Sequence, residues 1–304
     1  MSFTQDVKRE LDTVAPETEH CRRAELSGLI FSAGVFEIAG HAAYSVRLSF
    51  ALPATARRAL TLLRPLGAEA ELRTVDSTLT GHRYEVILDG SPRNLRMLHE
   101  LGVLSDAFVL QLTIAPGLVK RRCCLIALLR GVFLGCGSIS TPGKAVHAEL
   151  TVENRDLAEQ LARLWHRLGL EFKVAERVRN VACYTKRGET AADLLAILGA
   201  HNARLRWEEH LVLNQVRERA NRLANCDQAN ARRASETGRR QVEAARKVLA
   251  DRSLSPPLRV TAELRIRFPF LNLAELGGRS NPPLSKSAIN HRLRQIESLA
   301  SEIE

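Results

Sequence analysis

Two apolar stretches interrupted by small residues recur along the chain, and that recurrence limits the architectures open to it. The first is Leu26-Ser27-Gly28-Leu29-Ile30-Phe31-Ser32-Ala33-Gly34 and the second Leu129-Arg130-Gly131-Val132-Phe133-Leu134-Gly135-Cys136-Gly137, an offset of 103 residues. A glycine inside a helix costs about 1 kcal/mol relative to alanine, so Gly28 and Gly131 need a compensating role. Close approach of one helix to another supplies it. Packed together, the two helices would relate two halves of the chain by a pseudo-two-fold axis.

The segments downstream of the two stretches correspond as well. Alternating apolar residues predict strands over 44–50 and 146–152, then helices over 55–66 and 155–168, closed by Gly67 and Gly169. Strands over 68–75 and 170–178 come next, and each half ends in a short helix finishing at Leu101-Gly102 or Leu198-Gly199. The shared order αββαββα, taken twice, predicts an α+β fold with two four-stranded sheets forming a saddle that could straddle a duplex.

The two nonapeptides resemble the LAGLIDADG motif of homing endonucleases, and their duplication resembles the single-chain members of that family. The resemblance implies an acidic metal ligand at the eighth position of each motif, where this sequence has Ala33 and Cys136. A methyl group cannot hold Mg²⁺, and a thiol is too soft for it. Two-metal phosphodiester cleavage is therefore disfavoured, with no catalytic residue and no cofactor expected. Glu25 and Glu37 flank the first motif without counterparts at Leu128 and Ser140, and read as helix-surface and strand-edge charges.

Charge points to an anionic partner. Of 304 residues, 44 are Lys or Arg and 34 Asp or Glu, for a net charge of +10; residues 201–304 carry 19 basic against 12 acidic residues. Ser2 and Gln5 form a capping box opening an N-terminal helix, with no apolar signal core behind it. No apolar run approaches the roughly 20 residues needed to span a bilayer, so a cytoplasmic location away from membranes is expected. The cysteines (Cys21, Cys123, Cys124, Cys136, Cys183, Cys226) show no CxxC pair and no His at metal spacing. They read as small buried hydrophobes in a reducing compartment, with no metal site.

Residues 203–251 are almost free of Pro and Gly and read as long basic helices. Within them Arg222, Asn225, Asn230, Arg232 and Arg233 combine phosphate-binding guanidiniums with amides that reach base edges. The three asparagines Asn221, Asn225 and Asn230 suggest a local break or a contact surface. A Ser/Pro linker over 253–257 precedes three helices. The first covers 258–267; the second is capped by Asn272 with Glu275 and stopped by Gly277-Gly278; the third is capped by Ser285. In the third, Ile289, Leu293, Ile296 and Ala300 form an apolar back. Ser287, Asn290, His291, Arg294 and Ser298 face away, with Lys286 near the start. That is a helix-turn-helix with Ser285, Lys286, Ser287, Asn290, His291, Arg292 and Arg294 as candidate DNA contacts, and a turn longer than usual. The domains expected are an N-terminal helix at 1–20, a duplicated domain at 21–202 with halves meeting near 118/119, a helical linker at 203–251 and the helix-turn-helix at 252–304.

Over the whole chain the sequence resembles the WhiA family. The resemblance rests on Phe3, Val7-Lys8 and Glu10-Leu11, on Ala24-Glu25-Leu26-Ser27-Gly28-Leu29, on Asn221-Arg222, Asn225-Cys226 and Ala229-Asn230, and above all on Pro282-Pro283-Leu284-Ser285-Lys286-Ser287-Ala288-Ile289-Asn290-His291-Arg292-Leu293. It implies a nucleoid-associated transcription regulator that binds double-stranded DNA and acts in cell division and chromosome segregation, and in sporulation in sporulating actinobacteria. It also implies a WhiB-type iron–sulfur partner. Two other classes stay open: a protein-interaction hub that never touches DNA, and an active nuclease, which needs acids at positions 33 and 136.

Overall fold

The computed structural model describes residues 2–39, 43–77, 81–250 and 254–303. The boundary expected at 251/252 and Ser253 of the expected linker lie outside the described residues. The chain divides into two compact units, Met1–Asn214 and Gln215–Glu304. No helix among the described residues is long and apolar enough to cross a membrane.

The first unit opens with α1 (Phe3–Asp12), started by the capping box of Ser2 and Gln5. It stops at Asp12, short of the expected residue 20, and buries Phe3, Val7 and Leu11 in the main core. Two αββαββα passes come after it. The first is α2 (Glu19–Ala33), β1 (Gly34–Ala39), β2 (Ala43–Phe50), α3 (Pro53–Leu63), β3 (Ala70–Ser77), β4 (Gly81–Asp89) and α4 (Pro92–Glu100). The second is α5 (Arg122–Cys136), β5 (Gly137–Ile139), β6 (Ala148–Val152), α6 (Arg155–His166), β7 (Lys173–Glu176), β8 (Val181–Thr185) and α7 (Gly188–Leu198). Each makes a four-stranded antiparallel sheet of the same order, β1-β2-β4-β3 and β5-β6-β8-β7. The turns after α3 and α6 place Gly67 and Gly169 at φ of 71° and 83°, backbone that a Cβ disfavours.

Helix α8 (His201–Leu249) runs unbroken for 49 residues, so Asn221, Asn225 and Asn230 cause no break. Asparagine's weak helix propensity costs only tenths of a kcal/mol, too little to interrupt a helix anchored at both ends. Trp207 is buried in the core of the first unit, while Ala244, Ala245 and Val248 belong to the core of the second. That second core also gathers Leu254 and residues from α9 (Pro256–Arg267), α10 (Leu273–Gly278) and α11 (Lys286–Glu302). Pro256 and Pro257 are not linker but the first turn of α9, where proline's missing N–H goes unneeded. Buried Arg265 donates to Gln241 Oε1 at 2.8 and 3.0 Å and to the Leu271 carbonyl at 2.6 Å, joining α8 to the α9–α10 connection.

The two motif helices meet at their glycines. A Cβ on Gly28 would lie 2.2 Å from the Leu128 carbonyl oxygen, and one on Gly131 would lie 2.1 Å from that of Glu25. Residues 28 and 131, like 25 and 128, are 103 apart, so each contact is the image of the other and the pseudo-two-fold holds at the atomic level.

Glu25 is not the helix-surface charge expected. It is fully buried, with Arg58 Nε 2.8 Å from its Oε1 and Arg130 Nε 3.8 Å from its Oε2. Burial pushes its carboxyl above the usual range, against the pull of the two guanidiniums. Arg130, which interrupts the longest apolar run in the sequence, is thus an interior partner of Glu25. Glu37 does sit on edge strand β1, exposed and paired with Arg47.

Cys21, Cys124 and Cys183 are buried as expected, and Cys136 partly so. Cys123 and Cys226 are exposed, and Cys21, Cys123 and Cys124 gather around His20. Sequence spacing hides this, because each half contributes only two neighbouring residues.

Gly131→Ala is expected to destabilise the first unit by about 1–3 kcal/mol or more, since a new methyl must push apart two helix backbones. Gly117→Ala, where nothing lies within 4 Å of the added Cβ, should be close to neutral. Denaturant midpoints of the two variants check this.

Candidate nucleic-acid interface

In the second unit α10 and α11 are set by their caps. Asn272 Oδ1 accepts from the amides of Ala274 at 3.0 Å and Glu275 at 2.9 Å, and Glu275 returns to the Asn272 amide at 3.1 Å. Ser285 Oγ accepts from the Ala288 amide at 3.2 Å, so this hydroxyl is engaged in starting α11. The long connection between the helices is pinched at its base. The Leu284 amide donates to the Gly277 carbonyl at 3.0 Å, and a Cβ on Gly277 would lie 2.2 Å from the Leu284 oxygen. That bond closes the longer connection at its two ends, so the helices are joined as by a shorter turn.

Along α11, Ile289, Leu293, Ile296 and Ala300 are buried, as their spacing requires. Ser287, His291, Arg294 and Ser298 are exposed on the opposite side, while Lys286 is exposed in the first turn on the side of Leu293. Asn290 and Arg292 are half-buried on the two flanks, so Asn290 does not face fully away as expected. Neither residue lies opposite the apolar stripe at the helical repeat.

On α8, Arg222, Asn225, Asn230, Arg232 and Arg233 are all exposed. The helical repeat keeps them on one side, with Arg222 nearly in line with Arg233 and Asn225 with Arg232. Arg232 pairs with Glu236 at 2.8 Å and Arg233 donates to Asn230 Oδ1 at 2.9 Å.

The place where the motif would hold metal lies in the first unit, at the ends of α2 and α5. Ala33 and Cys136 are the last residues of those helices. Burial pushes the Cys136 thiol up to about 12, although the residue as a whole keeps some exposure. Lys8 and Glu149 both lie near enough to act on it. Lys8, lowered by burial to about 8, and Arg83 lie near, and Arg83 donates to the Ser49 hydroxyl at 3.1 Å and carbonyl at 3.0 Å. A cavity of about 500 Å³ opens there, and among the described residues that line it Glu153 is the one carboxylate. The motif pattern did not point to Lys8 as part of this site, since it comes from α1, outside the repeat.

On the outer face of the first sheet, Arg47 pairs with Glu37 and Glu85, and Arg73 with Glu71. On that of the second, Arg177 and His147 both reach Glu149, whose carboxyl their hydrogen bonds hold low despite partial burial. The arginines among them are already matched by acids of the same unit.

Comparison with known proteins covers the whole chain. The sequence matches three family profiles: the WhiA N-terminal LAGLIDADG-like domain over residues 19–104, the WhiA LAGLIDADG-like domain over 125–217 and the WhiA C-terminal HTH domain over 220–300. The "Probable cell division protein WhiA" of Alkaliphilus metalliredigens is 34% identical over 99% of this chain and 98% of its own length. The protein of the same name from Desulforudis audaxviator is 36% identical over 100% and 98%. The crystal structure of full-length DUF199/WhiA from Thermatoga maritima is similar with a TM-score of 0.60 at 22% identity, covering 99% of both chains.

Gly277→Ala is expected to lower the stability of the second unit by about 1–3 kcal/mol, because the pinch at Leu284 must open. Gly278→Ala, with open space around its added Cβ, should leave it unchanged or slightly raised. Thermal melts of the two variants compare them directly.

Proposed function

The chain belongs to the WhiA family, and from that premise we propose that it is a sequence-specific DNA-binding transcription regulator without nuclease activity. The observation that carries this reading is the division of α11 into a buried apolar back and an exposed front bearing Ser287, His291 and Arg294, with Lys286 exposed in its first turn. Such a helix, set behind a short capped one, can enter a major groove by its front while its back stays in the core. Arg294 reads bases, bidentately where it meets guanine, and Asn290 reaches from the flank; Lys286 and Ser287 contact phosphate. The basic and amide side of α8 adds phosphate contacts.

The family resemblance supplies the biological setting: regulation in cell division and chromosome segregation, in sporulation where the host sporulates, and residence on the nucleoid in the cytoplasm. The self-paired charges on the outer sheet faces favour a different role for the duplicated domain, that of docking another protein, with a WhiB-type regulator as the candidate. Cleavage is disfavoured because Ala33 and Cys136 offer no oxygen ligand and Lys8 and Arg83 bring positive charge where a metal would sit.

Affinity measured for a duplex selected from a random pool, and for a scrambled duplex, tests the DNA reading. Arg294→Ala should cut the ratio of the two affinities by about 1–3 kcal/mol, while Lys286→Ala should weaken both about equally. Affinity should fall with salt at a log–log slope of about 0.9 per phosphate contact. Unchanged affinities and ratio in a folded Arg294→Ala protein would reject α11 as the reading element.

Supercoiled plasmid incubated with the purified protein and Mg²⁺ is expected to remain supercoiled. Nicking that co-purifies with the folded protein through successive columns would overturn the non-enzymatic reading.

A further inference from the structure

The first turns of α2 and α5 each begin with two neighbouring residues that ligate soft metals. His20 and Cys21 stand 103 residues before Cys123 and Cys124, the same offset that separates the glycine motifs. The pseudo-two-fold therefore sets His20 opposite Cys123 and Cys21 opposite Cys124. Their four ligand atoms, His20 Nδ1 and three Sγ, all lie within 4.8 Å of one another. His20 Nδ1 is 3.1 Å from Cys124 Sγ and 3.4 Å from Cys21 Sγ.

We propose that His20, Cys21, Cys123 and Cys124 form a structural zinc site that ties the first turn of α2 to that of α5. A tetrahedral zinc with Zn–S of about 2.3 Å and Zn–N of about 2.0–2.1 Å separates its ligands by roughly 3.5–3.8 Å, within the spread of this cluster. Three thiolates and an imidazole are a zinc donor set and a poor one for Mg²⁺ or Ca²⁺.

The surroundings fit a negatively charged thiolate complex. The four residues lie in the first turns of α2 and α5, where helix ends carry partial positive charge. Arg130 lines the same cavity of about 200 Å³ as His20, Cys21 and Cys123, and its Nε has no hydrogen-bond partner. Cys21 and Cys124 are buried, whereas His20 is half-buried and Cys123 exposed, so the site is closed toward the core and open to an entering ion. Binding releases one proton from each thiol and changes no oxidation state. The ion would join the two halves at the end of the α2–α5 pair opposite Ala33 and Cys136.

The test uses full-length protein prepared reduced and metal-free, titrated with zinc against a chromophoric chelator and separately with cobalt(II). One equivalent of zinc should bind, and cobalt should give the strong visible bands of tetrahedral coordination with thiolate-to-metal charge transfer in the near ultraviolet. Cys123→Ser, at an exposed position that leaves the core intact, should weaken zinc roughly tenfold or more, as should His20→Ala; Cys226→Ser should not. Zinc should raise the melting temperature of the unaltered protein more than that of Cys123→Ser at the same zinc concentration. No tight zinc, equal affinity in Cys123→Ser, or an octahedral cobalt spectrum would overturn the site. So would a Cys21–Cys124 disulfide forming on mild oxidation of protein that takes up no metal, which would make the cluster a redox pair.

Discussion

Two helix backbones in the first unit touch where Gly28 faces Leu128 and Gly131 faces Glu25. Side chains of ordinary size would hold helix axes about 8–10 Å apart, and only glycine lets the main chains meet. Everything in the duplicated domain is arranged around that contact. Each motif helix leads directly into the edge strand of its own sheet, β1 at Gly34 and β5 at Gly137, so the pairing of α2 with α5 also positions the sheets. Glu25, held by Arg58 and Arg130, places one ionic cluster inside this interface. A buried pair of this kind adds little net stability, yet removing one partner leaves an uncompensated charge, so it constrains which packing the two helices can adopt.

The same pairing accounts for both ends of the helices. At their C-terminal ends it brings together the eighth positions of the two motifs, Ala33 and Cys136, neither of which offers an oxygen ligand. At their N-terminal ends it juxtaposes His20 and Cys21 with Cys123 and Cys124. The glycine contacts lie between these two poles, so the residues at either end are set by the same packing.

The second unit depends on a different constraint. A short recognition-type element cannot bury enough apolar surface alone, and here α11 shares a core with α9, α10 and the end of α8. Arg265, spending its guanidinium on Gln241 and the Leu271 carbonyl, holds α8 in that core. The helix that reads as a connector in sequence is therefore part of the domain it leads into.

Periodicity and repetition in the sequence were enough to specify the α+β class, the doubled αββαββα order, the caps at Ser2, Asn272 and Ser285, and the apolar back of α11. These rest on local patterns whose meaning does not depend on distant partners. The single unbroken α8, the place of Pro256 and Pro257 inside α9 and the flank position of Asn290 rested on packing at the ends of helices, which local propensity does not report. The interior position of Glu25, the approach of Lys8 to Cys136 and the gathering of His20 with three cysteines were decided only in three dimensions. Each joins residues from separate elements, and a side chain's burial or ligand set is a property of what the fold brings beside it.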